Sequence, residues 1–320
     1  MQDLHTSEER QTWMPHFSRV FGARSAEIER SEIEALVAEE DSAAMARRER
    51  RRALIVPREH GAWGLLLVPL VTGAGIALRV SSNPFPFLLL LTAALTLFWL
   101  RTPLESYLGT SVVRAQTVEE RRDVLFAVIY LAAIALLAVA MLLRDGSNPL
   151  LWYIGSAVAA TFVAQALLKK LGRRSRMLSE VVGTIGLTAS APAAYYVITG
   201  KFDATAWMLW LANLLFAGDQ IHYVQLRLHT AKIQGFRTKL ARGWAFALGQ
   251  ALMTTILTVV CAARLMPPLA SIAFAPLLFR GWFYFVQEPK ALVVRRLGWA
   301  EVEHAAAFCI LFIVTFTLAR

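Results

Sequence analysis

Residues 124–143 read VLFAVIYLAAIALLAVAMLL, an unbroken apolar run without a single charge. At 1.5 Å per residue a helix of this length spans about 30 Å, the thickness of a bilayer's hydrocarbon core. A strand or a short core helix would not need so many consecutive apolar positions. No water is available inside lipid, so the backbone must satisfy its own N–H and C=O groups, and a helix does so within one segment. The run is bracketed by Arg121, Arg122 and Asp123 on one side and by Arg144 and Asp145 on the other, which place its two ends in water.

Working outward, the same pattern recurs. Apolar runs at 62–79 and 84–100 precede it, and runs at 149–168, 180–199, 205–225, 244–263, 268–286 and 302–319 follow. The fold class predicted is an all-α polytopic membrane bundle of about nine transmembrane helices. Composition agrees: the chain is 57% hydrophobic with a mean hydropathy of +0.49, above the apolar share of an ordinary soluble domain. Two parts are expected, a polar tail over 1–56 and a transmembrane domain over 57–320. The first apolar run starts too far from the amino terminus for a cleavable signal peptide, so the first span is expected to remain as an anchor.

The net charge of +10 would point to nucleic acid in a soluble protein. Here the basic residues gather in alternate connectors, which excludes that reading and makes membrane lipids the expected partner. The connectors after the second, fourth, sixth and eighth spans carry Arg101, Arg114, Arg121 and Arg122; Lys169, Lys170, Arg173, Arg174 and Arg176; Arg227, Lys232, Arg237, Lys239 and Arg242; and Lys290, Arg295 and Arg296. The opposite side holds only Arg79, Arg144, Lys201, Arg264 and Arg320. Positive residues stay inside, so the amino terminus is predicted in the cytoplasm and the carboxyl terminus outside. The tail adds an expected polar helix over 25–52. Ser25 caps it, and its arginines at 47–52 suit anionic headgroups. Cys261 and Cys309 both fall within apolar runs and imply neither a zinc site nor a disulfide framework.

Ionisable groups inside a bilayer are costly and are functional candidates by default. Arg58, Glu59 and His60 stand at the mouth of the first span, and Glu180 opens the fifth. Asn213, Asp219 and His222 lie along the sixth, with Asp219 and His222 on one face at i, i+3. Arg280 sits in the middle of the eighth and requires a partner or a water-filled cavity, and His304 opens the ninth. A cytoplasm-facing cavity lined by Arg58, Glu59, His60, Glu180, Asn213, Asp219, His222 and Arg280 is the candidate site. Gly61, Gly64, Gly73, Gly75, Gly183 and Gly186 allow close helix approach, and Pro69, Pro192 and Pro276 are expected kinks.

The stretch Pro57-Arg58-Glu59-His60-Gly61-Ala62-Trp63-Gly64 resembles the opening signature of the YwiC-like family of bacterial membrane proteins. Ser190–Tyr196 and His222–Leu228 are similar to that family as well. This resemblance implies a multi-pass protein of a bacterial cytoplasmic membrane and by itself brings no activity. A more distant likeness, in span number and in long cytoplasmic connectors, is to the UbiA prenyltransferase superfamily. In those enzymes Asp-rich motifs after the second and sixth helices hold Mg²⁺, which binds a prenyl diphosphate. Carried over residue by residue, that likeness implies Glu105 and Asp219 as metal ligands. The chain departs from the pattern: Arg101–Tyr107 holds one acid, and Leu226 and Thr230 stand where further aspartates would follow Asp219. Arg101, Arg227, Lys232 and Arg237 remain as groups able to bind phosphate directly. Three functions stay open: a UbiA-like binder of an isoprenoid or lipid diphosphate, a permease for a small solute, and an assembly factor without catalysis.

Overall fold

A computed structural model describes residues 37–57, 60–81, 83–111, 113–144, 149–170, 175–288 and 292–319. Among these residues the only regular structure is helical. Helix α1 covers residues 37–55. It is followed by α2 (His60–Ala77), α3 (Phe85–Tyr107), α4 (Val118–Leu143), α5 (Leu150–Lys170), α6 (Arg176–Thr188), α7 (Ser190–Thr199), α8 (Ala204–Thr230), α9 (Phe236–Arg242), α10 (Trp244–Ala262), α11 (Ala275–Val286) and α12 (Val294–Leu318). A 3₁₀ segment, Pro268–Phe274, leads into α11. Of the tail helix expected over 25–52, residues 25–36 lie outside the described residues.

Among the described residues, seven helical stretches are long and apolar enough to cross a membrane: Phe85–Tyr107, Val118–Leu143, Leu150–Leu168, Met177–Thr199, Trp244–Ala262, Pro268–Val286 and Arg295–Leu318. The first expected span is a shorter apolar helix, Trp63–Ala77. The sixth expected span is α8, a helix of 27 residues whose second half carries Asp219, Gln220, His222 and Arg227.

Two expected spans are built differently from a plain helix. Met177–Thr199 comprises α6 and α7, joined at Ala189. Pro192 has no N–H for the carbonyl of Thr188, and the turn is carried by Ala193 N–H donating to the Ala189 carbonyl at 3.2 Å. The eighth span, expected as one helix over 268–286, begins as the 3₁₀ segment and becomes α-helical only at Ala275, with Pro276 in the first turn. A proline at that position lacks an N–H that would be unpaired in any case, so it starts this helix and does not kink it.

The chain divides into two compact units. The first joins Met1–Val56 with Thr102–Leu125. Within it the Arg50 guanidinium pairs with Glu120, and Arg51 Nε lies 3.0 Å from Asp123 Oδ2. Thr117 and Glu120 form a capping box at the start of α4. Glu120 N–H donates to Thr117 Oγ1 at 3.1 Å, and Glu120 Oε2 accepts from Gln116 N–H at 2.8 Å.

The second unit, Pro57–Arg101 with Phe126–Arg320, holds the core. Helix α2 packs on α7, α8 and α12. A Cβ at Gly73 would fall 2.2 Å from the Ala191 carbonyl oxygen, so only glycine admits this crossing of α2 over α7. At the same level Asn213 Nδ2 donates to Thr72 Oγ1 at 3.0 Å and to the Leu209 carbonyl at 2.8 Å. An aromatic ladder fills the centre: Phe216 stacks on Phe308 at 4.3 Å, and Phe308, Phe312 and Phe316 follow one another along α12. A second, smaller cluster of Tyr223, Leu226, Phe246, Tyr284, Phe285 and Leu297 closes the far end of α8, α10 and α11.

A buried ionic column along α8

Helix α8 starts from Asp203, whose carboxylate accepts the N–H groups of Thr205 and Ala206 at 2.9 and 3.3 Å. Asp219 lies about 24 Å further along the axis at 1.5 Å per residue. That distance is shorter than the roughly 30 Å of a bilayer's hydrocarbon core.

Asp219 has a cation against it. Arg280 Nη2 donates to Asp219 Oδ2 at 2.9 Å, and Arg280 Nη1 donates to both oxygens of Glu301 at 2.8 Å. The side chains of Asp219, Arg280 and Glu301 are 2%, 8% and 11% exposed, so protein shields most of this ion triple from solvent. The amide of Gln250 on α10 donates to Asp219 Oδ1, and Gln220 Nε2 donates to the Glu301 carbonyl at 3.0 Å. Four helices thus converge: α8, α10, α11 and α12. The close approach of α10 and α11 comes from Gly281, where a Cβ would fall 2.9 Å from the Gln250 side chain.

The column continues along α8. The Arg280 guanidinium lies 4.0 Å over the Tyr223 ring, and Tyr223 meets Tyr284 edge to face at 6.0 Å. Arg227 and Lys239 each stand 5.0 Å from the centre of the Tyr284 ring. Thr230 Oγ1 donates to the Leu226 carbonyl at 2.6 Å, so the Tyr284 hydroxyl donates to Thr230 across 2.8 Å and the ring is fixed beside both cations. Lys239 is only 1% exposed, and its ammonium donates to the Gln287 carbonyl at the end of α11, where the helix dipole is negative. Burial, and then the neighbouring Arg227, push the Lys239 ammonium below the ordinary lysine value. Neither Arg227 nor Lys239 pairs with a carboxylate among the described residues, and Arg227 Nε is buried without any hydrogen-bond partner. The column therefore carries the cations Arg227, Lys239 and Arg280 against the anions Asp219 and Glu301, and its basic excess lies at the Tyr284 end.

The expected site residues fall in several places. Asp219, Arg280 and Arg227 are joined in the column. Asn213 is in the core against Thr72, and His222 is half-buried facing Gly249 of α10. Glu180 lies in the second turn of α6, and Thr184 Oγ1 donates to its carbonyl at 2.7 Å. Arg101, on α3, holds its guanidinium 5.9 Å from the Phe162 ring of α5. Lys232 and Arg237 are exposed, in the turn after α8 and on α9. Arg58 and Glu59 lie outside the described residues, and His60 begins α2.

The implied magnesium site finds no fitting donors at Asp219. Both of its oxygens are taken, one by an amide and one by a guanidinium, so Arg280 stands where a metal ion would have to sit. Glu105, the other implied ligand, belongs to the last turn of α3 in the first unit. Among the described residues no group of three or more His, Cys, Asp or Glu side chains is arranged to hold a metal ion.

Sequence reasoning missed Glu301, Gln250, Lys239, Tyr223 and Tyr284. One signal existed for Glu301. A cation in mid-span demands an anion, and Glu301 becomes available once α12 is begun at Val294 instead of 302. Lys239 was counted only as a topological charge, because nothing local distinguishes it from Arg237 or Arg242.

Residues 56–195 match the model of the YwiC-like protein family. That stretch runs from the end of α1 through α2 and into α7, and the ionic column begins beyond it. A longer similarity covers 255 residues at 22% identity with the protein named "Uncharacterized protein YwiC" of Bacillus subtilis (strain 168). It takes in 79% of this chain and 95% of that relative. Together with the apolar helices, the YwiC-like match makes this a multi-pass integral membrane protein.

Proposed function

We propose that the protein binds the anionic head of an isoprenoid or similar lipid diphosphate at the cytoplasmic face of a bacterial inner membrane. The observation that carries this reading is the ionic column: five ionisable groups run into an apolar bundle along one helix, with their positive excess at one end. Isolated charges are expelled from such a place unless they serve a ligand or a path. A head bearing several negative charges complements the excess, and its apolar chain is soluble in the surrounding lipid.

The topology that accompanies this reading has nine spans, with the amino terminus inside. Two contacts support it. The Arg50–Glu120 pair is consistent with α1 and the connector after α3 sharing a side of the membrane. The Lys239–Gln287 bond is consistent with the connectors after α8 and α11 sharing a side. Both agree with the alternation of basic connectors.

The test is equilibrium binding of radiolabelled farnesyl diphosphate to the purified protein in nanodiscs. Saturable binding that is weakened in Arg227→Met is expected, and absence of saturable binding by the wild type, with or without Mg²⁺, refutes the reading. A permease is the second reading, favoured by the burial of the ion triple between four helices. Proteoliposome uptake of a small anion in the absence of lipid diphosphate binding would select it.

A further inference from the structure

We infer that the terminal phosphate is held by Arg227 and Lys239 over the Tyr284 ring, directly and without a divalent metal. This deepens the preceding reading and depends on it only for the lipid part of the ligand.

The two cations neighbour one aromatic ring, each 5.0 Å from its centre. Like charges beside one ring repel, and among the described residues neither has a carboxylate to offset the other. A ring face attracts cations but does not neutralise them. Lys239 has one carbonyl acceptor for three N–H donors, and the buried Arg227 Nε has none. Buried donors left without acceptors are costly, and several of them beside one ring point to a missing acceptor. An oxyanion with at least two negative charges meets both needs: it balances the cations and accepts from Arg227 Nε and Lys239 Nζ together. A phosphate monoester or diphosphate has that charge and oxygen count, while a carboxylate supplies only one charge.

The acids of the column do not compete for this position. Asp219 and Glu301 are engaged by Arg280, whose guanidinium lies against the Tyr223 ring. The same engagement removes the carboxylates that a metal-bridged diphosphate would require, so the direct contacts must suffice. Lys239 is also the residue that ties α9 to the end of α11, so the anion would rigidify the connector between α8 and α10.

Two probes separate the sources of the anion. Inorganic pyrophosphate tests the head alone, and farnesyl diphosphate tests the head with a lipid chain; both are titrated with EDTA and again with Mg²⁺. Binding of both in EDTA is expected. Arg227→Met or Lys239→Met should weaken it roughly tenfold to a hundredfold, the range for hydrogen bonds to charged groups, and Lys239→Arg should restore most of the loss. Pyrophosphate binding without farnesyl diphosphate binding keeps this inference and removes the lipid reading. Binding of either probe only with Mg²⁺ overturns the inference while the lipid reading stands. Wild-type affinity in both methionine variants, or no binding of either probe, also overturns it. Elution as a single species on size exclusion confirms that each variant is folded, and the wild-type EDTA titration needs no variant at all.

Discussion

Replacing Arg280 with methionine removes the cation that two buried carboxylates share. Three hydrogen bonds at 2.8, 2.8 and 2.9 Å disappear, each to an ionised acceptor. At roughly 1.5–3 kcal/mol per bond to a charged group the gross loss is about 4.5–9 kcal/mol. The stack on Tyr223 adds about 0.5–2 kcal/mol. Protonation of a stranded carboxyl limits the damage, and broken buried pairs typically cost about 3–5 kcal/mol. At roughly 2–4 °C per kcal/mol this becomes a fall of roughly 6–20 °C in Tm, read by tryptophan fluorescence of the detergent-solubilised protein. The cause is the stranded anions and not the missing bulk, so the triple change Asp219→Asn, Arg280→Met and Glu301→Gln should recover most of the loss. A single variant that loses less than about 1 kcal/mol refutes the reasoning. So does a triple variant that falls as far as the single one.

Four other outcomes follow from the same structure. Gly73→Ala should destabilise by about 1–3 kcal/mol, because its Cβ would overlap the Ala191 carbonyl, whereas Gly155→Ala, with nothing within 4 Å, should be neutral or stabilising in the same thermal assay. Asn213→Leu leaves Thr72 without its interhelical partner and should cost about 0.5–2 kcal/mol by chemical denaturation, the scale of hydrogen bonds between membrane helices. Arg50→Ala combined with Arg51→Ala should speed proteinase K cleavage near α1 at low salt, and the difference should vanish near 1 M salt, where screening acts within about 3 Å. For Lys239 the folded value lies below the ordinary 10.5, so between the two the unfolded chain binds more protons and stability rises with pH. Subtracting the pH profile of Lys239→Met from that of the wild type should isolate this rise, and a flat difference would show that the ammonium is not held in a desolvated place.

The amino-acid sequence determined that this chain enters a membrane and where most of its helices lie. Hydropathy acts within a window of about twenty residues, and the solvent on either side responds to the same window, so runs such as 124–143 are legible without any neighbour. Helix starts were less legible: the apolar run begins at 124, whereas α4 starts at Val118 behind the Thr117–Glu120 capping box, because the capping turn is polar. The need of Arg280 for a partner was legible, since a lone guanidinium in mid-span is unfavourable in any fold.

The identity of that partner was settled only by tertiary structure. Glu301 stands 21 positions from Arg280, and Asp219 stands 61 away, on separate helices whose rotation about their axes no local pattern fixes. The 3₁₀ entry to α11 was hidden for a related reason, because an apolar run has the same composition in either helical form. Lys239 shows the division most clearly. In the sequence it is one basic residue among five in a connector; in the fold α9 turns it inward onto Tyr284 beside Arg227, and burial makes it a buried cation in need of an anion. Charge is written in the chain, but desolvation, which gives a charge its chemical consequence, is a property of what packs around it.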